Sequence, residues 1–362
     1  MNVLFVVRPD AATRPGGDIV HAERTAAALR DLGVRVDIAA TASPDASEYD
    51  VAHVFGIFEP PTAAHQLSAL REQEAAIALS PILLDLTEYF ATAQLVERAL
   101  DVGDSREADR RLAKLKRRGP RRFWRSRAER EAARRLSKQG ELLRQADVLL
   151  PASETEARLY QRVRSNRPSF VTAVGAGEAD FSSNDGTRGG VLCAARIESK
   201  KNQAALLFAL RDVDVDVTLV GDAYDKAYLA LCKRWATSRT RFLDHSAPGE
   251  VLALMSRAAV HAHPSWCESP GLSSLEAAAA GAQIVVGNRG TEREYFGPAA
   301  AYADPADPAS IRSAVLHALE RGPRERNDAL ERRLRQFTWR RAAEATIEAY
   351  GEARARKEQR AR

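Results

Sequence analysis

Short apolar runs recur along the chain, and between them apolar residues return every three or four positions. The runs at 3–7, 34–39, 51–55, 82–84 and 148–150 read as short buried strands, and the stretch 19–32, stopped by Gly33, reads as a helix. Strands alternating with helices predict βαβ units and a parallel sheet. A Gly- and Ser-rich segment at 182–190 interrupts the alternation, which resumes with strands at 191–195, 217–220, 259–262 and 284–286. The expected fold class is therefore α/β with two Rossmann-like domains, the first over 1–181 and the second over 182–336. The charged tail at 352–362 is expected to be a frayed helix end.

Composition narrows the setting. A chain of 362 residues with 45% hydrophobic content has the material for two cores. Cys193, Cys232 and Cys267 are odd in number and form no CxxC pair, so neither a disulfide framework nor a zinc site is expected, and a reducing compartment fits. No apolar stretch reaches the roughly 18 residues of a membrane span, and the first residues form no basic leader, so a cytoplasmic protein is expected. Net charge is +5, yet residues 104–144 hold sixteen Lys/Arg against six Asp/Glu, so the basicity belongs to one arm. Gly119-Pro120 should split that arm into two helices, and Phe123 with Trp124 gives the second an apolar foot. The arm reads either as a peripheral contact to anionic lipid headgroups or an acidic acceptor, or as a solvated helical hairpin. Without a nucleic-acid module, nucleic acid is not expected as a partner.

In an open parallel sheet, ligands bind beyond the carboxyl ends of the strands. After the strand at 259–262 comes His263-Pro-Ser-Trp-Cys-Glu-Ser-Pro-Gly-Leu-Ser-Ser-Leu-Glu-Ala-Ala-Ala-Ala-Gly281. Gly271 permits close backbone approach, and Ser273 or Ser274 is expected to cap a helix running to Gly281. The free N–H groups at such a helix start suit a diphosphate. Glu276, in the first turns, is placed to accept hydrogen bonds from a ribose diol, and Glu268 sits on the loop before the helix.

This stretch resembles family 4 of the retaining glycosyltransferases, whose frame of two glutamates seven residues apart is matched at Pro264, Ser265, Glu268, Gly271, Leu272, Leu275, Glu276, Ala277 and Gly281. Ala195-Arg196-Ile-Glu-Ser-Lys-Lys201-Asn202 is similar to the same family's second element, and Pro15-Gly16-Gly17 to its diglycine loop. The resemblance implies a GT-B fold, with the two Rossmann-like domains facing a central cleft and a closing helix at 337–362 that crosses back to the first domain. It also implies transfer of a sugar, with retention, from a nucleoside diphosphate donor to a hydroxyl acceptor such as a glycan or lipid-linked glycan. Donor contacts would come from Gly16, Gly17, Arg196, Lys201, Gly271, Leu272, Ser273, Ser274 and Glu276, with Glu268 beside the sugar. Neither a cofactor nor a metal is implied, the nucleotide sugar being substrate.

Two departures stand out. Pro270 occupies a position where the family usually carries an aromatic, and the family's His-Asp pair is replaced by Thr87 and Glu88, with Asp85 two residues earlier. His53 is the nearest candidate to replace the missing histidine, the other reading being a histidine satisfied at a strand end. Alternative activities are a nucleotide-sugar epimerase or hydrolase of the same fold, or a degenerate nucleotide-sugar-binding protein. The Asp-x-Asp spacing at Asp212, Asp214 and Asp216 reads as a half-buried strand edge rather than a metal site. Cys267 lacks a partner base in sequence reach, and no Gly-x-Gly-x-x-Gly fingerprint follows a strand.

Overall fold

The computed structural model describes residues 1–118, 122–163, 166–176, 188–244, 246–321, 328–360 and 362. The chain forms two compact units: Met1–Leu84, Ala133–Gly175 and Phe337–Arg362 make the first, and Asp85–Ala132 with Ala176–Gln336 the second.

The first unit begins with β1 (Asn2–Val7), α1 (Gly17–Asp31), β2 (Arg35–Ala40), β3 (Val51–Phe55), α2 (Pro60–Glu72) and β4 (Ile77–Ser80). The next two helices, α3 (Thr87–Leu100) and α4 (Ser105–Arg118), belong to the second unit, and the division falls inside α5 (Arg122–Leu143). With β5 (Val148–Leu149) and α6 (Glu154–Arg162) the first sheet is complete, parallel, in the order β2-β1-β3-β4-β5. Alternate residues of β1 serve its two faces. Val3, Phe5 and Val7 pack with Ala22, Ala26 and Leu29 of α1, while Leu4 and Val6 pack with Leu67 and Leu70 of α2 and with Leu142 and Leu143 of α5. Burial on both faces is why these strands read as apolar runs.

The second unit continues with β6 (Gly189–Ala194), α7 (Gln203–Leu210), β7 (Val217–Val220), α8 (Lys226–Arg234), β8 (Thr240–Leu243), α9 (Pro248–Arg257) and β9 (Ala258–His263). Then follow α10 (Leu272–Ala279), β10 (Gln283–Gly287), α11 (Glu292–Phe296), β11 (Ala301–Ala303), α12 (Pro308–Arg321) and α13 (Asp328–Leu334). The last helix, α14 (Trp339–Arg360), lies in the first unit. The second sheet is parallel in the order β11-β10-β9-β6-β7-β8. Strand order reverses between β6 and β9, a switch point where an open α/β sheet leaves a crevice.

Every residue of α7 is buried, and a helix apolar all round needs neighbours on every side. α3, α8 and α12 pack against it, which explains why residues from the first half of the sequence complete the second core. α4 adds Ala108, Leu112 and Leu115, spaced along one face, to the same core. Its outer face carries Glu107 paired with Arg110 and Arg111, and Lys116 reaches Asp307 at 2.5 Å. Arg106, Lys114, Arg117 and Arg118 remain exposed. The Gly119-Pro120 break and the side chains of Phe123 and Trp124 lie outside the described residues, as do residues 182–187 of the Gly- and Ser-rich segment.

Two local expectations are corrected and two strands are added. Residues 82–84 are not a strand: Ile82 has φ 54°, incompatible with extended backbone, and the strand is Ile77–Ser80, whose Ala- and Leu-containing sequence hides it. Strands β8 and β11 carry no long apolar run and went unread. The charged tail is ordered helix: Ala353 is fully buried, and Arg360 binds Asp147 and donates to the Ala75 carbonyl at 3.1 Å.

Candidate functional site at the β6–β9 switch point

Three loops meet where β6, β9 and β10 end. Asn202, in left-handed conformation at φ 63°, donates from its side-chain amide to the carbonyls of Pro264 (3.1 Å) and Pro305 (2.8 Å). Asparagine tolerates that backbone region better than most residues, and its amide holds the post-β6 loop against the post-β9 loop. The Lys200 carbonyl accepts from the Trp266 amide and the Ser265 hydroxyl, both at 2.9 Å. On the other side, the Thr291 amide donates to the Glu268 carbonyl at 3.1 Å. Gly290 is required there, because a Cβ would strike the Glu268 peptide and the Glu292 carboxyl.

That stitching presents a buried charge pair. Glu268 Oε1 accepts from Lys201 Nζ at 2.7 Å and from the Ser265 hydroxyl at 2.6 Å, with Glu268 only 7% exposed. Burial opposes the carboxylate, but the charges of Lys200 and Lys201 and the Lys201 hydrogen bond outweigh it, so Glu268 stays well below the usual carboxylate range. Burial lowers Lys201, and Glu268 partly restores it. Beneath the pair, burial and the Lys201 charge push His263 down to about 3, so its ring is neutral; Nε2 lies 3.8 Å from Glu268 Oε1 and Nδ1 3.4 Å from the Ser274 hydroxyl.

α10 starts one turn beyond Glu268. The expected caps, Ser273 and Ser274, are not caps: Gly271 is the N-cap, without a side-chain hydrogen bond, and both serines lie inside the first turn. Gly271 packs so closely on the His263 ring that a Cβ would come within 3.1 Å of Nδ1. Gly271 has no side chain to cap the helix, whose first amides with the helix dipole attract an anion. Ser274, Leu275 and Ala277 are buried, whereas Leu272, Ser273 and Glu276 are half-buried. Ser273 and Glu276, three apart, thus share one accessible stripe. Arg196, also half-buried, lies on the post-β6 loop with its guanidinium 3.4 Å from Glu198. Gly221, at φ 142°, lets the end of β7 run directly against the Ala195 carbonyl and steady that loop.

Residues 178–337 match the family model described as Glycosyl transferases group 1. This stretch is similar to that family. The chain is 36% identical over 116 residues to glycogen synthase of Mycobacterium tuberculosis, a match covering 31% of this chain and 28% of that relative. The chain thus aligns with little more than a quarter of the relative's length. Across nearly full length the fold is similar to sucrose-phosphate synthase from Thermosynechococcus elongatus, with TM-score 0.71, 16% identity and coverage of 98% and 99%. It is also similar to Anabaena Alr3699/HepE in complex with UDP and glucose, with TM-score 0.61, 16% identity and coverage of 100% and 98%. The two parallel-sheet α/β units are those of a GT-B fold.

The stretch that matches the family model holds Arg196, Lys201, Glu268, Gly271, Leu272, Ser273, Ser274 and Glu276; of these, Lys201 and Glu268 are in direct contact. Gly16, Gly17 and His53 lie in the first unit. Gly16 is the N-cap and Gly17 the first residue of α1, beside Arg8, which binds Asp18 at 2.8 Å and Asp10 at 2.5 Å. His53 does not offer a free nitrogen: Nδ1 bonds the Tyr350 hydroxyl at 2.7 Å and Nε2 the Ser80 hydroxyl at 2.9 Å. Burial holds its pKa well below 6.5, and it stacks on Phe55, so its geometry is that of a core histidine. Thr87 opens α3, with its amide and hydroxyl both donating to Asp85 Oδ1, at 3.0 and 2.6 Å.

Several readings from sequence find their partners. Asp212 pairs with Arg312, and Asp214 and Asp216 pair with Arg239 at 2.7 and 2.9 Å. All three cysteines are buried; burial pushes the Cys193 thiol up to about 12 and raises that of Cys267 too. Sequence reasoning missed His263, Thr291 and Glu292 near Glu268. The spacing of Gly290 from the end of β10 was the available signal, since glycine after a parallel strand marks close backbone approach.

Proposed function

We propose that the chain transfers a sugar from a nucleoside diphosphate donor to a hydroxyl acceptor with retention of anomeric configuration. The observation that carries this reading is the buried Lys201–Glu268 pair beside the start of α10, with Ser273 and Glu276 on the one accessible stripe of that helix. The group 1 glycosyl transferase match and the likeness to a protein holding UDP and glucose support it.

In this mechanism Glu276 binds the ribose diol, and the amides of Leu272 and Ser273 receive the diphosphate, the Ser274 amide being taken by the Gly271 carbonyl at 2.9 Å. Arg196 and Lys201 offset the charge that grows on the diphosphate as the bond from the anomeric carbon to its oxygen breaks and the electron pair leaves with it. Glu268, held ionised, stabilises the cationic sugar, and the departing phosphate oxygen takes the proton of the incoming hydroxyl on the same face. No resident cofactor takes part; the nucleotide sugar is substrate. The acceptor is a glycan or lipid-linked glycan, met in the cytoplasm or at the inner face of a membrane through the exposed cations of α4. No helix among the described residues is long and apolar enough to cross a membrane.

A panel of uridine, guanosine and adenosine diphosphate sugars, scored by thermal shift and by release of the diphosphate, tests this. Glu276→Ala should lower donor affinity at least tenfold, and unchanged affinity removes the assignment. Epimerised or hydrolysed sugar without transfer product, across many acceptors, would favour an epimerase or hydrolase.

A further inference from the structure

Beside Glu268 lies a set of polar atoms that the mechanism leaves unused. Glu292 is 2% exposed and Thr291 3%, yet neither the Glu292 carboxyl oxygens nor the Thr291 hydroxyl finds a hydrogen-bond partner among the described residues, apart from the Glu292 amide lying against its own carboxyl. Nη1 of Arg289 is likewise unpartnered, its Nη2 being taken by Asp304 at 2.7 Å. A buried carboxyl without partners is destabilising, so its presence calls for a ligand or a function.

Its placement points to one. A single point in space, where a Cβ on Gly290 would sit, lies against Glu292 Oε2, 2.6 Å from the Glu268 carbonyl oxygen and 2.9 Å from the Glu268 amide nitrogen. The Glu292 carboxyl therefore faces the peptide of the residue whose side chain is assigned to the sugar. Building on the donor reading above, we infer that Glu292, with the Thr291 hydroxyl and the Glu268 peptide, forms a hydroxyl-reading wall for the transferred sugar that selects a neutral hexose over a hexuronic acid.

The chemistry of the wall supports that choice. Burial, aided by the Glu268 charge and opposed by Lys200 and Lys201, raises the Glu292 pKa to about 8, so at neutral pH it is a carboxylic acid. The acid presents one O–H donor and one carbonyl acceptor, the complement of a sugar hydroxyl that both accepts and donates. Cys267 on the neighbouring loop and Tyr302 on β11 feel the same group but carry no charge at that pH, both being shifted upward by burial. A hexuronate would instead bring a second ionised carboxylate into the buried space beside Glu268, and like charges in such a space repel strongly.

Calorimetric titration of the full chain tests the inference. Uridine, guanosine and adenosine diphosphates are titrated first, and the tightest is taken forward as free diphosphate, as its hexose conjugate and as its hexuronate conjugate. The expected result is hexose conjugate binding at least tenfold more tightly than hexuronate conjugate. Glu292→Leu should bind the free diphosphate as the wild type does but lose at least tenfold toward the hexose conjugate. Glu292→Gln, the conservative variant for which folding is least at risk, should stay within about threefold at pH 7. The wild type should lose affinity for the hexose conjugate between pH 7 and 9 as the donor proton departs, and Glu292→Gln should not. Equal affinity for the two conjugates, or hexose binding unchanged in Glu292→Leu, overturns the wall while leaving the donor reading intact. Failure of every diphosphate to bind the wild type removes the donor reading itself.

Discussion

The two sheets obey the same topological rule but treat their switch points in opposite ways. In the first unit the strand order reverses between β1 and β3, and the buried histidine there, His53, has both ring nitrogens engaged by hydroxyls. In the second unit the reversal between β6 and β9 holds the Lys201–Glu268 ion pair with the neutral His263 beneath it, and the loop after β10 brings up Glu292, whose carboxyl has no side-chain partner among the described residues. Polar groups that are fully satisfied hold a core together; polar groups left unsatisfied at a strand end mark where a ligand completes the structure. That contrast, rather than the presence of a histidine, separates a structural switch point from a chemical one.

The strongest way to break the comparison is Lys201→Ala. It leaves the buried Glu268 carboxylate unpaired, and chemical denaturation should report a loss of about 3–5 kcal/mol. A loss under about 1 kcal/mol would mean that the pair is solvated and the contrast false. Because the folded pKa of Glu268 is depressed, the stability it contributes is present at neutral pH and should fade as pH drops below about 4.

His53→Ala probes the other sheet. Stranding the hydroxyls of Ser80 and Tyr350 should cost about 1–3 kcal/mol, with turnover within about threefold of wild type once folding is controlled. A fall in kcat of about a hundredfold or more would instead make His53 a proton-transfer group.

Glu292→Gln sharpens the picture. The folded pKa of about 8 lies above the unfolded value near 4.5, so wild-type stability falls as pH rises between the two, where only the folded state keeps the proton. The variant should match wild type at pH 4 and melt a few degrees, about 2–4 °C, higher at pH 8. Identical melting curves across that range would show that Glu292 is not held protonated. Smallest of all, Asp214→Asn with Asp216→Asn removes exposed pairs to Arg239 and should change stability by less than about 1 kcal/mol. Loss of donor turnover in that variant, restored by a divalent cation, would revive a metal role for the Asp-x-Asp run.

What the sequence disclosed depended on how each feature is encoded. Doubly buried strands such as β1, β3 and β9 announce themselves by composition, so the alternation and the two-sheet fold were legible. β4 was misplaced because Ala and Leu suit helix and strand alike, and β11 was too short to register. The frame from Pro264 to Gly281 and the Arg196–Lys201 element were legible as local motifs. The convergence of Glu292 on Glu268 was not, since it depends on how closely the post-β10 loop passes the post-β9 loop. Nor could a residue count place Gly271 rather than Ser273 at the helix cap, which is set by the close packing of Gly271 on His263.

The chain passes from one unit to the other after Leu84, after Ala132, after Gly175 and after Gln336. A ribosome that has released only the first half has therefore exposed α3 and α4, with Val96, Leu100 and Ala108, long before α7 exists to receive them, and the first sheet still awaits Tyr350. The second core can close once α12 has been made, whereas the first waits for α14, so the unit that is begun first is finished last. A fragment cut at residue 181 would carry orphaned apolar surface from both halves.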